Sequence, residues 1–411
     1  MFDNRRTQNI SLRRTSDRTE DHKYMSTPIA GVGMTKFGEM ADRTGRDLFA
    51  EAGETAIEDA GIDRGEIDAL YLGNFMGELS ERQGHMGPLM AKMLGLDVPA
   101  TRVESACASG GMAVRQGIQA VRAGAADVVL VGGVERMHNM GTTGATGGLS
   151  VAADDLWEIK HGITFPGAYA LMAKRYFETH GGDREDLAEI AVKNHANAAN
   201  NPLAQYQTEI TIEKVLDAFP VADPLGLFDA SPITDGAAAA IIVSEEYAAE
   251  HDLDAPVSIT GTGQGTDDLA LQHRDSITWT PATADAAAEA YTDAGIDADD
   301  VDFLEVHDCF TIAEVLALEG LGLYDEGEAI TAAREGETTA DGELPVNLSG
   351  GLKAKGHPVG ATGLAQISEM TKLFRGDHVN SDAVEDAEVG LTHNAGGTVA
   401  SAVVHVLEVE Q

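Results

Sequence analysis

The sequence predicts an α/β protein made of two pseudo-equivalent βαβαβ halves on mixed sheets, with an extra segment inserted in the first half. The leading observation is an internal repeat. Asp59-Ala60-Gly61-Ile62-Asp63-Arg64-Gly65-Glu66-Ile67-Asp68-Ala69-Leu70 resembles Asp293-Ala294-Gly295-Ile296-Asp297-Ala298-Asp299-Asp300-Val301-Asp302-Phe303-Leu304. Each copy follows an Ala-rich helical pattern, Leu48, Ala52, Ala56 and Ile57 in one and Ala286, Ala287, Ala290 and Tyr291 in the other. Each then runs into a short apolar strand, 69–72 and 301–306, and each helix is preceded by a Gly-punctuated β segment, near 29–33 and 257–263. Such alternation gives parallel or mixed sheets covered by helices, with sites at the C-terminal ends of strands. Residues 137–230 or so do not fit the repeat.

Taken in order, residues 1–26 carry Arg5, Arg6, Arg13, Arg14, Arg18 and Lys23 with almost no apolar content, which predicts a disordered basic tail. Asp3, Asp17, Glu20 and Asp21 argue against an organellar leader. The first half spans 27–248. Its first strand is expected near 28–33, a helix at the spacing of Met112, Val114, Ile118 and Val121, and a buried strand over 127–133. The insertion, about 137–230, carries helical patterns over 167–179 and 184–199 and is expected to cover the site. Ala237 to Val243 reads as the last strand of this half. The second half spans 249–411 and includes a helix over 364–373.

Composition bounds the function. The chain has 411 residues, 43% hydrophobic, with 68 acidic residues against 28 basic ones and a formal net charge of −40. Phosphate would be repelled, which excludes nucleic acid as a partner. No apolar run approaches the ~18–20 residues of a membrane span. Acid spread among Ala, Gly and Val fits a soluble enzyme of a salt-rich cytoplasm, where salt screens self-repulsion; a halophilic archaeon is the expected source. The two cysteines, Cys107 and Cys309, exclude a disulfide framework and fit a cytoplasmic location.

Four stretches carry chemistry. In Val103-Glu104-Ser105-Ala106-Cys107-Ala108-Ser109-Gly110-Gly111-Met112, Cys107 is placed near a helix N-terminus, where free amides and the dipole favour a thiolate below the usual ~8.5. A buried core cysteine is the plainer alternative. Glu305-Val306-His307-Asp308-Cys309-Phe310 puts a histidine and the second thiol at one strand end. The Gly-rich run from Ser349 to Gly363 contains Lys353, Lys355, Gly356 and His357, and corresponds in the second half to the place of Cys107 in the first. Two helix N-termini would then present Cys107 and His357 to one cleft, with His357 accepting the thiol proton. A phosphate cradle or plain turn chemistry stays open for this loop. Leu391 to Thr398 contains Asn394 and Gly396 and suits either an oxyanion hole or a turn between two final strands.

With these stretches in hand, the chain resembles the thiolase superfamily from about residue 28 to the end. The Cys107 loop, Gly356-His357-Pro358, and Ser231 to Gly236 leading into an Ala run carry the likeness. Many thiolases have Asn-Glu-Ala-Phe at His307-Asp308-Cys309-Phe310, and a cysteine at Asn394. Both departures resemble the archaeal and sterol-carrier-protein-type branch, in which this second cysteine replaces the missing one. The resemblance implies the layered α/β/α/β/α thiolase fold and acetyl-CoA C-acetyltransferase activity, that is, condensation of two acetyl-CoA to acetoacetyl-CoA and CoA, and the reverse thiolysis. It implies Cys107 as nucleophile, His357 as its base, and Cys309 as the acid/base on carbon. His307 and His357 would hold the enolate oxygen, and amides at Cys107 and near Gly396 the tetrahedral oxyanion. Ser231, Gly356, Asn394 and Lys353 are the expected substrate-binding residues.

No cofactor or metal is implied beyond coenzyme A thioesters as substrates. Cations for the polyanionic coenzyme are expected among Lys353, Lys355, Lys174 and Arg175. The resemblance also implies a homodimer or homotetramer, and as partners a small OB-fold protein and a hydroxymethylglutaryl-CoA synthase of the mevalonate pathway. A 3-ketoacyl-CoA thiolase of broader chain length, serving polyhydroxyalkanoate synthesis or fatty-acid breakdown, is the alternative of the same class. A ketoacyl synthase fits less well, because a thiol at Cys309 suits reversible deprotonation rather than decarboxylation. A non-catalytic scaffold or lipid-binding homologue is the alternative of another class.

Overall fold

The computed structural model of the chain describes residues 26–409. Of the basic tail expected over 1–26, all but Ser26 lies outside the described residues. Nine strands form one sheet: β1 (Thr27–Met34), β2 (Ala69–Gly73), β3 (Ala100–Val103), β4 (Val128–Glu135), β5 (Gly236–Val243), β6 (Val257–Thr266), β7 (Phe303–Glu305), β8 (Val389–Gly396) and β9 (Ser401–Val409). Their order is β3-β2-β4-β5-β1-β6-β9-β8-β7. The helices that matter below are α1 (Gly45–Ala60), α2 (Met86–Met93), α3 (Ser109–Arg122), α4 (Gly141–Leu149), α5 (Phe165–His180), α6 (Arg184–Ala198), α7 (Pro281–Ala294), α8 (Thr311–Gly320) and α9 (Thr362–Arg375).

Either side of the middle, the sheet repeats itself in mirror order. Strand β2 runs parallel to β3 and β4, and β7 runs parallel to β8. The contacts β4–β5–β1 and β8–β9–β6 are all antiparallel. Where the first half has β3, the second keeps only a parallel bridge between Leu304 and Val346. The halves meet through two residue pairs of β1 and β6, Thr27 with Ile259 and Pro28 with Ser258.

The repeated acidic residues have matching tasks. The Asp59 carboxylate accepts the Val32 N–H at 2.8 Å, and Asp293 accepts that of Thr262 at 2.9 Å. Asp68 accepts the amides of Asp127 and Val128, and Asp302 those of Glu388 and Val389. Asp59 and Asp293 thus satisfy an N–H within a strand, and Asp68 and Asp302 the N–H groups at a strand's start. The arginines closing the two central helices cross over. Arg122 of α3 reaches Asp293 in the second half at 2.6 Å, and Arg375 of α9 reaches Asp59 in the first at 2.8 Å.

Five layers result. Val114, Ile118 and Val121 of α3 pack with Leu364, Ile367 and Met370 of α9 between the two half-sheets, against Val129, Ile242 and Ile259. Helices α1 and α2 cover the outer face of the first half over Leu70, Leu130 and Ile241. Helices α7 and α8 cover that of the second over Leu304, Leu391 and Val404. Strands β4 and β5 are buried along their whole length, which is why Val128 to Val131 and Ala237 to Val243 read as unbroken apolar runs. Each wholly buried aliphatic side chain of these layers contributes about 1.5–3 kcal/mol.

One close approach sets the site. The Gly360 carbonyl lies 2.2–2.9 Å from where a Cβ would stand on Gly133, Gly73 or Gly110. The loop before α9 thus lies directly on the strand ends of the first half, a contact that glycine alone admits.

Candidate active site

Cys107 sits in a tight turn between β3 and α3. The preceding Ala106 has φ 48°, a left-handed conformation that costs a non-glycine residue energy and persists only where neighbours impose it. Here the Glu104 carboxylate accepts the Ala106 N–H at 2.7 Å. The Ser109 hydroxyl accepts the Ser105 N–H at 2.9 Å and donates to the Ala106 carbonyl at 2.6 Å. The turn leaves the Cys107 sulfur facing a cavity of about 420 Å³.

Cys309 and His357 line the same cavity, as do Ser231, Tyr169 and Gly397. His357 comes from the Gly-rich loop before α9, its N–H donating to the Thr234 hydroxyl at 2.9 Å. Cys309 follows β7, and its carbonyl accepts the Ser231 N–H at 2.9 Å. The stretch from Ser231 to Thr234 is therefore a clip between the two second-half loops. Asp308 ties those loops directly, accepting the Leu352 N–H at 2.6 Å and the Lys353 N–H at 3.3 Å.

Protonation is governed by burial. Desolvation pushes the Cys107 thiol up to about 12, against the smaller opposing effect of the Gly397 N–H on its sulfur. The thiolate expected from the helix N-terminus is thus corrected: the dipole is outweighed by the cost of desolvating the charge. Burial also pushes the Cys309 thiol up, opposed by the Tyr169 hydroxyl. It pulls His357 down to about 3 and holds His307 well below its ordinary value, the latter helped by the rings of His357 and His393. Both histidines are neutral and both cysteines are thiols. The Nδ1 of His357 lies 2.7 Å from the Thr362 hydroxyl, whose own hydrogen goes to the Pro358 carbonyl at 3.1 Å. That network assigns the hydrogen of His357 to Nδ1 and leaves Nε2 a lone pair for accepting a proton.

His307 stands edge-on to His357, ring centroids 5.0 Å apart. The Cys107 sulfur and one nitrogen of each ring lie within 4.8 Å of one another. Residue spacing along the chain hides this triangle, which folding alone brings together. The donor set suits a soft cation as well as a nucleophile with its base.

The remaining expected residues divide. Ser231 lines the cavity. Gly396 does not: it pairs with Ser401 inside the β8–β9 ladder, and the amide at the Cys107 sulfur belongs to Gly397. Leu391 to Gly396 is strand rather than loop, and the turn begins one residue later than an oxyanion hole at Gly396 requires. Asn394 is buried with its amide fully engaged by protein: the Gly111 N–H at 3.1 Å, the Cys107 carbonyl at 3.0 Å and His307 Nδ1 at 3.1 Å. It holds the site rather than the substrate. Gly356, at φ 117°, packs on Thr234 away from the cavity.

Lys353 lines an adjoining cavity of about 310 Å³ with His195 and Lys214. Lys355 is buried 3.6 Å from Glu305. Lys174 pairs with Asp223 and Arg175 with Glu178, and none of these three lines either cavity. Lys214 is the cation that sequence reasoning missed. Tyr169 was missed as well: it is wholly buried, stacked on Phe310 at 4.7 Å, and its hydroxyl donates to the Gly397 carbonyl at 3.0 Å. Its place inside a helical apolar pattern gave no signal.

A family model of the thiolase N-terminal domain matches residues 27–246, and one described as thiolase C-terminal domain-like matches 263–409. The acetyl-CoA acetyltransferase of Methanothermobacter thermautotrophicus is 46% identical over 92% of this chain and 98% of its own. Sterol carrier protein 2 of Rattus norvegicus is 34% identical over 90% of this chain and 69% of its own. Among solved structures, the Ltp2-ChsH2(DUF35) aldolase superposes with a TM-score of 0.80 at 27% identity, covering 94% of this chain and 98% of that one.

Proposed function

The chain belongs to the thiolase family and is an acyltransferase, and from that premise we propose that it is an acetyl-CoA C-acetyltransferase working through an acetyl group on Cys107. The observation that carries the reading is the single cavity holding Cys107, Cys309 and a His357 that is neutral and free at Nε2.

In the first half-reaction the Cys107 sulfur attacks the thioester carbonyl as its proton passes to His357. Amides at Cys107 and Gly397 hold the tetrahedral oxyanion. The carbon–sulfur bond to coenzyme A breaks, and the Cys309 thiol gives its proton to the departing sulfur. Cys309 is then a thiolate in surroundings that penalise its charge, and so a strong base. It takes a proton from the methyl carbon of a second acetyl-CoA, whose enolate oxygen is held by His307 and His357. The carbanion attacks the acetyl group, the Cys107 sulfur leaves, and His357 returns its proton. The products are acetoacetyl-CoA and coenzyme A; reversed, the same steps are thiolysis.

Lys353 and Lys214 supply positive charge for the coenzyme beside the cavity. β3, at one of the two edges of the sheet, is the edge we assign to a second copy in a homo-oligomer. A salt-rich cytoplasm fits the acidic surface, and among the described residues no helix is long and apolar enough to cross a membrane. The apolar lining of the cavity, with Leu149, Phe165 and Val221, favours a second reading, a 3-ketoacyl-CoA thiolase of broader chain length.

The test is an intact-protein mass spectrum after incubation with acetyl-CoA in concentrated KCl, followed by peptide mapping. We expect one acetyl group on Cys107, absent from Cys107→Ala. Folded protein that forms no adduct overturns the reading. Efficient labelling only by longer acyl-CoA selects the broader thiolase.

A further inference from the structure

His307, one corner of the triangle with Cys107 and His357, is 2% exposed, and its Nε2 finds no partner in the protein. Which nitrogen carries its hydrogen decides whether it can give a hydrogen bond there. The answer lies in Asn394. A backbone N–H can only donate and a backbone carbonyl can only accept. The Gly111 N–H therefore fixes Oδ1 of Asn394, and the Cys107 carbonyl fixes Nδ2. The amide cannot be turned over without opposing two like groups on each side. The second hydrogen of Nδ2 points at His307 Nδ1, 3.1 Å away, which must accept it. A neutral imidazole has one hydrogen, and it is left on Nε2.

We propose that Asn394 is a positioning residue that locks His307 as the Nε2–H tautomer, giving the site one ring that donates beside another, His357, that accepts. The assignment rests on the acyl-transfer reading for its use: Nε2–H is the donor to the thioester-derived oxygen. It also explains the triangle. With Nδ1 accepting from Asn394 and the hydrogen on Nε2, neither nitrogen of His307 has a lone pair to offer a cation, so the three groups remain acid–base machinery. At this position an aspartate would reverse the ring, because a carboxylate accepts where the amide donates.

The test is the 15N spectrum of histidine-labelled protein, with the His307 signals identified by their loss in His307→Gln. We expect Nδ1 bare and Nε2 protonated in the wild type, and the opposite in Asn394→Asp. In Asn394→Ala, which removes the donor without adding a charge, both tautomers are expected. Losing a fixed oxyanion donor lowers kcat roughly 10²-fold with KM little changed. A wild-type His307 with its hydrogen on Nδ1, or a folded Asn394→Ala whose ring keeps the wild-type tautomer, overturns the proposal. Neither depends on activity. An Nε2–H ring in protein that forms no acetyl-Cys107 would instead sink the acetyl-transfer reading and leave the tautomer assignment standing.

Discussion

A half-buried nucleophile whose thiol is pushed up to about 12 is almost wholly protonated at neutral pH, with roughly one molecule in 10⁵ as thiolate. Its sulfur is activated at the moment of attack, by His357, and not in the resting protein. Alkylation of Cys107 by iodoacetamide, followed by peptide mapping, should therefore rise about tenfold per pH unit from pH 7 to 10 without levelling. A plateau below pH 8 would mean a standing thiolate–imidazolium pair. The unfolded thiol ionises near ~8.5 and the folded one near 12, so its contribution to stability is whole below ~8.5 and fades as pH rises towards 12. At this scale the sequence was most legible where chemistry lies in residue type: Cys107, His307, Cys309 and His357 all reach one site. It was least legible where a residue works by orientation. Asn394 takes its partners from 283, 287 and 87 residues away, and no local pattern records that.

A Cβ on Gly363 of α9 would stand 2.2 Å from the Gly111 amide of α3 and 2.5 Å from Asn394 Oδ1. Alanine there gains about 1 kcal/mol of helix propensity, yet overpacking costs typically 1–3 kcal/mol and the backbone cannot move aside without disturbing Asn394. Gly363→Ala should lower both the melting temperature and kcat, measured by thermal unfolding and by acetoacetyl-CoA thiolysis. Gly147, in α4, has open space around it. Gly147→Ala should leave stability equal or raise it by up to about 1 kcal/mol; a loss there like that at Gly363 would show that propensity and packing have been misjudged. Helices and strands were largely readable from period and punctuation. The seam of the sheet was not, because two residue pairs of β1 and β6 leave no periodic trace, and neither was the packing of Gly360, which depends on glycines in three separate elements.

Across the whole chain, a formal charge of −40 opposes compaction wherever salt is scarce. Many of the cations are committed to acid partners, as Arg43 is to Glu51 and Arg115 to Glu289. Raising KCl from about 0.1 M to 1 M shortens the screening length from about 10 Å to 3 Å. The melting temperature should climb over that range, and a flat profile would show that the acidic surface costs the fold little. The halves themselves were visible in the repeat, whereas their crossed clamps, Arg122 on Asp293 and Arg375 on Asp59, were not, since each joins a helix end to the opposite copy. Those clamps have a consequence for descent. A chain of one half, carrying both the arginine and the aspartate, would find both partners on a second copy of itself, related by a twofold axis. Fusing two such copies would keep every contact while freeing each loop to diverge. An ancestral pair with the same loop twice thus becomes, by duplication within one gene, a protein in which one loop supplies the sulfur and its twin the imidazole.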